Sequence, residues 1–230
     1  MSDIVELTIL MPVFDERETV EEAIRSVLDA KPAKSFELIV VDDGSRDGTT
    51  ELLRDGSWPE NVRVLHHEKN RGKGAALRTG LVEARGTFST VFDADLEYSA
   101  RDIPALLEPL REGEQAVFGT RGFQSHSAYS FWYVVGNWFV TFLTNLLYNC
   151  WISDVMTGHK AMRTELFRSL KLRERGFAIE PEIAARLLKR KIRIFEVPIT
   201  YKARSRVQGK KLTALDGLRV VRTLLRCRVL

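Results

Sequence analysis

Short apolar runs alternate along the first 120 residues with segments in which apolar residues recur every three to four positions. The run at 38–41 is apolar throughout, which is typical of a strand buried on both faces of a sheet. The pattern predicts strands at 7–13, 36–43, 62–67, 87–93 and 115–120, and helices at 19–30, 47–54, 72–84 and 103–110. Strands and helices that alternate at this spacing predict a parallel sheet with right-handed crossovers, whose ligands bind beyond the carboxyl ends of the strands.

The pattern changes at 131–152, where 22 consecutive residues carry no charge. Polar residues recur there at helical spacing and would form one stripe on a helix; they are Asn137, Thr141, Thr144, Asn145 and Asn149. The stretch 129–151 also holds nine of the 21 aromatic residues, a density typical of a membrane interface. We therefore expect an amphipathic helix at 129–151 that lies in the interface. A buried core or dimer helix and a true membrane span are the alternatives.

The remaining pattern predicts a helix at 182–191, a strand at 193–201, a basic loop at 204–211 and a last helix at 215–225. No linker composition and no internal repeat divides the sequence. We therefore expect one α/β domain over 1–211, which includes the helix at 129–151. A basic amphipathic helix in 212–230 would follow it.

Composition and charge narrow the class of protein. The 230 residues are 44% hydrophobic and 29% charged, as in ordinary soluble globular domains. Two cysteines cannot build a disulfide scaffold and no secretory signal is recognisable, so we expect a reducing compartment. Residues 160–230 carry 20 Lys and Arg against 6 Asp and Glu, whereas 1–159 carries 15 against 25. The basic last third favours an anionic partner such as nucleic acid, anionic lipid or a phosphorylated small molecule.

An Asp-x-Asp segment, Asp93-Ala94-Asp95, follows the fourth predicted strand, with Glu97 two residues further on. Its carboxylates would leave the sheet at the ligand-binding edge, where they suit Mg²⁺ or Mn²⁺ bridging diphosphate oxygens. Glu97 could supply a third oxygen. Many such pairs only cap loops, so the metal interpretation depends on the segments that accompany it.

Three other segments occupy equivalent places in the pattern. Asp43, after the second strand, could accept hydrogen bonds from a base or a ribose, although a turn and helix cap explains the same residue types. Pro12, Phe14 and Glu16, after the first strand, offer a ring for stacking and a carboxylate for a sugar. The glycine-rich segment 70–75 permits close approach of the backbone to a phosphate, but it has neither Walker A nor GxGxxG spacing.

Taken in order, these segments resemble glycosyltransferases of family 2 with the GT-A fold, and among them the dolichyl- or polyprenyl-phosphate mannose synthases. The resemblance runs along nearly the whole chain, through 12–16, 41–45, 70–77, 93–97, 119–121, 154–163, 177–182 and 201–211. It implies an α/β, Rossmann-like fold with a mostly parallel sheet and flanking helices, to which the interfacial helix and the C-terminal helix are added.

The resemblance also implies roles for individual residues. The donor would be bound by Pro12, Phe14, Glu16, Val41, Asp43, Lys73, Asp93, Ala94, Arg204, Arg206 and Lys210. The metal would be held by Asp93, Asp95 and Glu97. The catalytic residues would be Asp95, Arg121 and Lys211.

The chain departs from the family pattern at two places. Phe14 and Asp15 stand where Tyr and Asn are usual, so stacking is kept and a hydroxyl is lost. The basic loop is one residue longer and lacks the usual Ser. Arg206 or Lys210 could therefore take the roles that the resemblance gives to the ends of the loop.

The implied function is inverting transfer of a hexose from a nucleotide sugar, GDP-mannose first and UDP-glucose next, to a polyprenyl or dolichyl phosphate. Mg²⁺ or Mn²⁺ and the basic loop would neutralise charge on the leaving diphosphate. A lipid phosphate needs no general base, whereas a hydroxyl acceptor needs one, for which Glu180 and Glu182 are candidates. Because the C-terminal spans of many relatives are missing, we expect a peripheral protein on the cytoplasmic face of a membrane, without a nucleic-acid partner.

Two other functions fit the same residues. One is a soluble glycosyltransferase that uses UDP-glucose or a similar donor and a sugar or glycan hydroxyl as acceptor. The other is a non-catalytic protein that binds a nucleotide sugar. The Asp-x-Asp segment and the basic loop 204–211 disfavour this second alternative, since a structural role requires neither.

Overall fold

The computed structural model of the chain describes residues 5–121, 131–203 and 214–229. Within these ranges the chain forms seven strands, eight α-helices and a short 3₁₀ helix at Ala100–Asp102. The strands are β1 (Leu7–Val13), β2 (Phe36–Asp42), β3 (Val62–His66), β4 (Phe88–Val91), β5 (Ala116–Thr120), β6 (Lys160–Arg163) and β7 (Ile194–Pro198). The helices are α1 (Val20–Ala30), α2 (Thr49–Asp55), α3 (Lys73–Glu83), α4 (Ile103–Arg111), α5 (Phe131–Tyr148), α6 (Thr164–Ser169), α7 (Ile179–Lys189) and α8 (Ala214–Val229).

These strands form one sheet in the order β3-β2-β1-β4-β6-β5-β7. β6 runs antiparallel to its neighbours β4 and β5, and the other pairs are parallel. The expected α/β fold with a mostly parallel sheet is confirmed. Because β1 lies between β2 and β4, the segments that follow these three strands leave the sheet at one edge, where ligands of open α/β sheets bind.

Side chains of the central strands point alternately into two cores, one on each face of the sheet. In β2, Ile39 and Val41 belong to the core that includes residues of α3, α5, α7 and α8. Leu38 and Val40 belong to the opposite core, with residues of α1 and α4. The run at 38–41 is thus buried on both faces, as its unbroken apolar character predicts.

β6 and α6 have no counterpart among the predicted elements. β6 is four residues long and includes Lys160 and Arg163, so it lacks the apolar run that marks the other strands. The other differences lie at the ends of elements. β4 ends at Val91 rather than 93, and α7 begins at Ile179 rather than 182 because Pro181 is tolerated in a first helical turn.

α5, α7 and α8 pack against one another. α8 buries Val220, Leu224 and Cys227 in the core that also holds Val91 of β4. The predicted boundary at 211–212 lies outside the described residues, so the division of the chain there stays a prediction. In the ranges that are described, no helix combines the length and the apolar character that crossing a bilayer requires.

Candidate active site

Asp43, at the end of β2, holds the glycine-rich segment in place. Its carboxylate accepts hydrogen bonds from the backbone N–H groups of Arg71 (2.9 Å) and Gly72 (2.6 Å), and it lies 2.6 Å from Nδ1 of His67. Asp43 itself is buried. Its contact with a nucleoside stays a prediction, and these partners leave fewer oxygen lone pairs for such a contact.

The turn after β1 is hydrogen-bonded to the turn after β2. The Oγ of Ser45 accepts a hydrogen bond from the backbone N–H of Asp15 (2.9 Å), and Oδ1 of Asp15 accepts one from the N–H of Arg46 (2.8 Å). Pro12 and Val41 are paired in the register of the two strands. The predicted nucleoside-binding residues of both strands are therefore neighbours at the same edge.

Three further residues that were predicted to bind the sugar donor lie after β1 and β4. Phe14 is half-buried directly after β1. Glu16 leads into α1, and its Oε2 accepts a hydrogen bond from the hydroxyl of Thr19 (3.0 Å). Ala94 is buried between the two carboxylates of the Asp-x-Asp segment. Their contacts with a donor stay predictions.

Four side chains of alternating charge form a continuous chain of ion pairs next to this edge of the sheet. The Lys73 ammonium lies 2.8 Å from Oδ2 of Asp93 and 2.9 Å from Oε1 of Glu180. The other oxygen of Glu180 lies 2.5 Å from Nζ of Lys160, which also donates to the carbonyl of Thr157. Lys160, Glu180, Lys73 and Asp93 come from β6, α7, α3 and the segment after β4, and we name them together the charge row.

Burial and pairing compete within the charge row. Burial lowers the pKa of Lys160 although Glu180 opposes this. Burial alone would raise the pKa of Glu180, but Lys160 and Lys73 outweigh it and hold the pKa below its ordinary value. Burial raises the pKa of Asp93 against the charge of Lys73. A carboxylate with a lowered pKa is a weak proton acceptor, so Glu180 is poorly suited to act as a general base.

The rest of the Asp-x-Asp segment forms a turn that is tied to the chain after β7. Oδ1 of Asp95 accepts a hydrogen bond from the N–H of Glu97 (3.1 Å), and the hydroxyl of Tyr201 donates to Oε2 of Glu97 (2.8 Å). Lys202 donates its backbone N–H to the carbonyl of Glu97 (2.8 Å). The turn that carries both carboxylates is therefore held at two points.

The part of the chain that the structure describes contains no cluster of three His, Cys, Asp or Glu side chains suited to a metal ion. Asp93, Asp95 and Glu97 therefore do not form a closed cage, and Oδ2 of Asp93 faces Lys73. However, Mg²⁺ is usually held by one or two carboxylates together with water and substrate phosphates. Asp95 and Glu97 fit this mode, because both offer hard carboxylate oxygens on one turn.

Arg121, directly after β5, is held by a bidentate ion pair with Asp154. Its Nε lies 2.6 Å from Oδ2 of Asp154 and its Nη2 lies 2.8 Å from Oδ1. Asn137 of α5 donates to the same carboxylate (3.1 Å), and the guanidinium lies 5.0 Å from the ring centroid of Tyr201. Asp154 takes two of the five side-chain N–H donors of Arg121, and the phosphate contact implied for this arginine stays a prediction.

The glycines of segment 70–75 permit a close approach, but to the protein's own backbone. A Cβ on Gly72 would lie 2.4 Å from the carbonyl oxygen of Arg175, and a Cβ on Gly74 would lie 2.2 Å from that of Glu174. The N–H of Gly74 donates to the carbonyl of Arg175 (2.6 Å). These contacts explain why small residues stand here without requiring a phosphate.

Glu182, the second base candidate, is fully buried and holds the backbone at 173–174 in place. Its carboxylate accepts hydrogen bonds from the N–H groups of Arg173 (2.9 Å) and Glu174 (2.7 Å) and from Nε of Arg186 (2.9 Å). These bonds engage both carboxylate oxygens. Glu182 therefore has a structural explanation that leaves it poorly placed to take a proton.

Arg204, Arg206, Lys210 and Lys211 lie outside the described residues, so their roles stay predictions. Lys160 was not among the residues predicted from the sequence, although it joins the site through its ion pair with Glu180. The local sequence gives no distinct signal for it, since a lysine beside the apolar pair Ala161-Met162 fits an exposed position equally well. Its partner Glu180 is 20 positions away in the sequence, so the pair becomes visible only in the fold.

Comparison with known proteins gives consistent findings. The family model described as "Glycosyl transferase family 2" matches residues 8–171. The chain is 30% identical over 218 residues to a dolichol-phosphate mannosyltransferase of Pyrococcus furiosus, covering 89% of this chain and 58% of that protein. It is 32% identical over 195 residues to glycosyltransferase AglJ of Haloferax volcanii, covering 84% and 62%. The chain thus spans about 60% of the length of these two relatives.

Among solved structures, the chain is similar to glucosyl-3-phosphoglycerate synthase of Mycobacterium tuberculosis in complex with Mn²⁺, UDP and glucosyl-3-phosphoglycerate. The TM-score is 0.72 at 22% identity, and the match covers 98% of this chain and 81% of the other. At this identity the likeness establishes the fold alone.

Proposed function

This chain belongs to glycosyl transferase family 2, and from that premise we propose that it transfers a hexose from a nucleotide sugar to a polyprenyl phosphate at a membrane surface. The observation that carries the proposal is the single edge at which the turns after β1, β2 and β4 and the start of α3 meet. The similarity to a dolichol-phosphate mannosyltransferase supports the acceptor class and favours mannose as the transferred hexose, for which we propose GDP-mannose as donor.

In this proposal the nucleoside lies on the turns after β1 and β2, and the diphosphate lies beside Asp95 and Glu97. These two carboxylates would hold Mg²⁺ or Mn²⁺, which supplies positive charge to the diphosphate as it leaves. The solved relative bound to Mn²⁺ and UDP supports this choice of ion. Arg121 and the cations of 204–211 would add further positive charge to the diphosphate.

The contacts that Glu180 and Glu182 already make support a phosphate acceptor over a hydroxyl acceptor. Transfer to a hydroxyl requires a group that takes its proton, whereas a phosphate attacks as an anion. Glu180 is ion-paired to Lys73 and Lys160, and Glu182 accepts hydrogen bonds from two backbone N–H groups and from Arg186. Both sequence-based base candidates are therefore engaged in holding the fold.

The orientation of α5 supports placement at a membrane surface. The polar residues of its stripe that lie within the helix face the protein: Asn137 binds Asp154, Thr141 accepts from the N–H of Val155, and Asn145 binds the backbone of Ile152. The fifth predicted member, Asn149, lies beyond the end of α5 and is exposed. The side chains that point outward are apolar, and with Trp151 they form what we name the aromatic face; its members are Phe131, Trp138, Phe139, Phe142, Leu146 and Trp151. Such a surface suits the interfacial layer of a bilayer, and we propose the cytoplasmic leaflet.

The proposal is tested by incubating the full chain with labelled GDP-mannose or UDP-glucose and a polyprenyl phosphate, with and without Mn²⁺. We expect label in the lipid fraction that depends on the metal. Asp95→Asn keeps an oxygen that can accept from Glu97 but removes the charge, and it should lower the rate at least about 100-fold. Asp29→Asn, on the exposed side of α1, is the matched control and should leave the rate unchanged.

Two outcomes would contradict the proposed function. Transfer to a soluble sugar acceptor, with none to the lipid, would favour the hydroxyl-acceptor alternative. Binding of the nucleotide sugar without transfer to either acceptor would favour the non-catalytic alternative.

A further inference from the structure

The side chain of Lys73 is enclosed between Asp93 and Glu180, with 14% of its surface exposed. From this position we propose that Lys73 is a positioning residue, which fixes Asp93 and the turn beyond it and does not itself contact the donor. The inference rests on the proposed function, because it assumes that this turn binds a metal-bound diphosphate. It replaces the direct donor contact that the sequence assigns to Lys73.

The first argument is the set of contacts that Lys73 already makes. An ammonium group has three N–H donors. Two of them face Oδ2 of Asp93 and Oε1 of Glu180, at 2.8 and 2.9 Å. One donor is left over, but a move of the ammonium toward a diphosphate would loosen both contacts, and a buried carboxylate such as Glu180 is costly to leave without its partner.

The second argument is the fit around Asp93. Gly158, next to β6, lies so close that a Cβ there would be 2.7 Å from Oδ2 of Asp93. Glu180, on the other side of Lys73, is held in turn by Lys160, which is completely buried. The orientation of Asp93 is thus determined from three separate elements: α3, α7 and the segment before β6.

The third argument is the distance along the chain between Asp93 and the proposed metal donors. Asp95 and Glu97 follow Asp93 by two and four residues on one turn. The far end of this turn is held by Tyr201 and Lys202, and Lys73 holds the near end. A turn fixed at both ends presents its carboxylates without an ordering cost when the ligand binds.

The test compares two double substitutions that each remove one lysine and the same glutamate. K73M/E180Q breaks the link to Asp93, whereas K160M/E180Q keeps Lys73 beside Asp93. Both remove one positive and one negative charge from the charge row, but K73M/E180Q also leaves the buried Lys160 without its carboxylate, so stability is measured beside binding. Binding of GDP and UDP is measured by calorimetry with Mn²⁺ and in EDTA, and unfolding is measured in urea.

We expect K73M/E180Q to weaken Mn²⁺-dependent nucleotide binding about 10- to 100-fold, the usual effect of losing a group that orients a metal ligand. K160M/E180Q should bind with an affinity close to that of the wild type, and K73M/E180Q should unfold at the lower urea concentration of the two because it leaves Lys160 unpaired. If K73M/E180Q does not fold, Lys73→Gln replaces it. That variant keeps hydrogen-bond donors toward Asp93 and should weaken the Mn²⁺-dependent binding by a smaller factor.

Equal weakening by the two double substitutions, or wild-type affinity in K73M/E180Q, would overturn the inference. An equal loss with Mn²⁺ and in EDTA would instead assign Lys73 to direct contact with the nucleotide. If the wild-type chain binds neither nucleotide with Mn²⁺, the proposed function itself fails, and the inference fails with it.

Discussion

His159 is completely buried between the rings of Phe92 and Tyr98, whose centroids lie 5.6 and 5.1 Å from its own. Within the described part of the chain, neither of its ring nitrogens has a hydrogen-bond partner. Burial, and secondarily the charge of Lys73, lowers the pKa of this histidine to about 3. A neutral imidazole is therefore kept in the folded protein at the cost of two unsatisfied polar atoms.

Replacing His159 by Phe should stabilise the protein. The substitution keeps an aromatic ring between Phe92 and Tyr98 and removes the unsatisfied nitrogens. We expect the free energy of unfolding in urea to rise by about 1–3 kcal/mol near neutral pH. His159→Asn, which keeps polar atoms in a smaller side chain, is the matched comparison and should lower this free energy.

The stability gain of H159F should depend on pH with a defined sign. The unfolded chain takes up a proton on His159 below its ordinary pKa of 6.5, whereas the folded protein does so only near pH 3. Between these values the wild type loses about 1.4 kcal/mol of stability per pH unit as the pH falls, and the variant lacks this loss. Unfolding curves at about pH 7.5 and about pH 5 should differ in the advantage of the variant by about 2 kcal/mol. An advantage independent of pH would contradict the neutral, unpartnered state.

At the scale of elements, the start of α3 depends on its contact with the segment before α7. Gly74→Ala would place a Cβ 2.2 Å from the carbonyl oxygen of Glu174 and strain the hydrogen bond from Gly74 to Arg175. We expect the free energy of unfolding to fall by about 1–3 kcal/mol, as measured in urea. Gly136→Ala, on the exposed side of α5 where a Cβ meets nothing within 4 Å, should raise it by up to about 1 kcal/mol. An unchanged stability of G74A would show that this contact is looser than described.

The elements themselves were predictable where local pattern decides them. The strands β1 to β5 and the helices α1 to α4 lie within a few residues of their predicted positions, because each has its own apolar period. β6 was not predictable in this way. Its burial depends on β4 and β5 on either side and on Glu180 beneath Lys160, and these are contacts between distant parts of the chain.

The helix α5 shows a second limit of sequence patterns. A polar stripe at helical spacing was predicted, but the pattern does not reveal whether the polar or the apolar face of the helix packs against the protein. Here Thr141 and Thr144 are buried, whereas Trp138 is 66% exposed. The polar face packs against the segment 152–155, whose backbone and Asp154 side chain form hydrogen bonds with it.

At the scale of the whole molecule, the candidate site combines short-range motifs that the sequence reveals with a long-range network that it does not. The turns after β1, β2 and β4 could be predicted because each directly follows its strand, and a parallel sheet brings such turns together. The charge row could not, since its four members come from four elements. Glycine at 72 and 74 was interpreted as an approach to phosphate, but the neighbouring backbone at 174–175 supplies the contact.

The proposed membrane contact combines two features of the whole molecule, the aromatic face and the basic last third. Trp138→Glu together with Phe142→Glu replaces two stacked rings, whose centroids lie 5.6 Å apart, by charges. Because burying one such ring contributes about 1.5–3 kcal/mol, we expect sedimentation with phosphatidylglycerol vesicles to weaken at least about tenfold. Val82→Glu, at a position of α3 that is 75% exposed, is the matched control and should sediment like the wild type.

Salt separates the two contributions to this membrane contact. Attraction between the basic residues of 160–230 and anionic lipid is screened over about 10 Å at 0.1 M salt and over about 3 Å at 1 M, whereas apolar contact is not screened. Wild-type binding should therefore fall with added salt to a remainder that the W138E/F142E variant lacks. Binding that vanishes in salt for wild type and variant alike would assign the contact to charge alone, and the aromatic face would then need another partner.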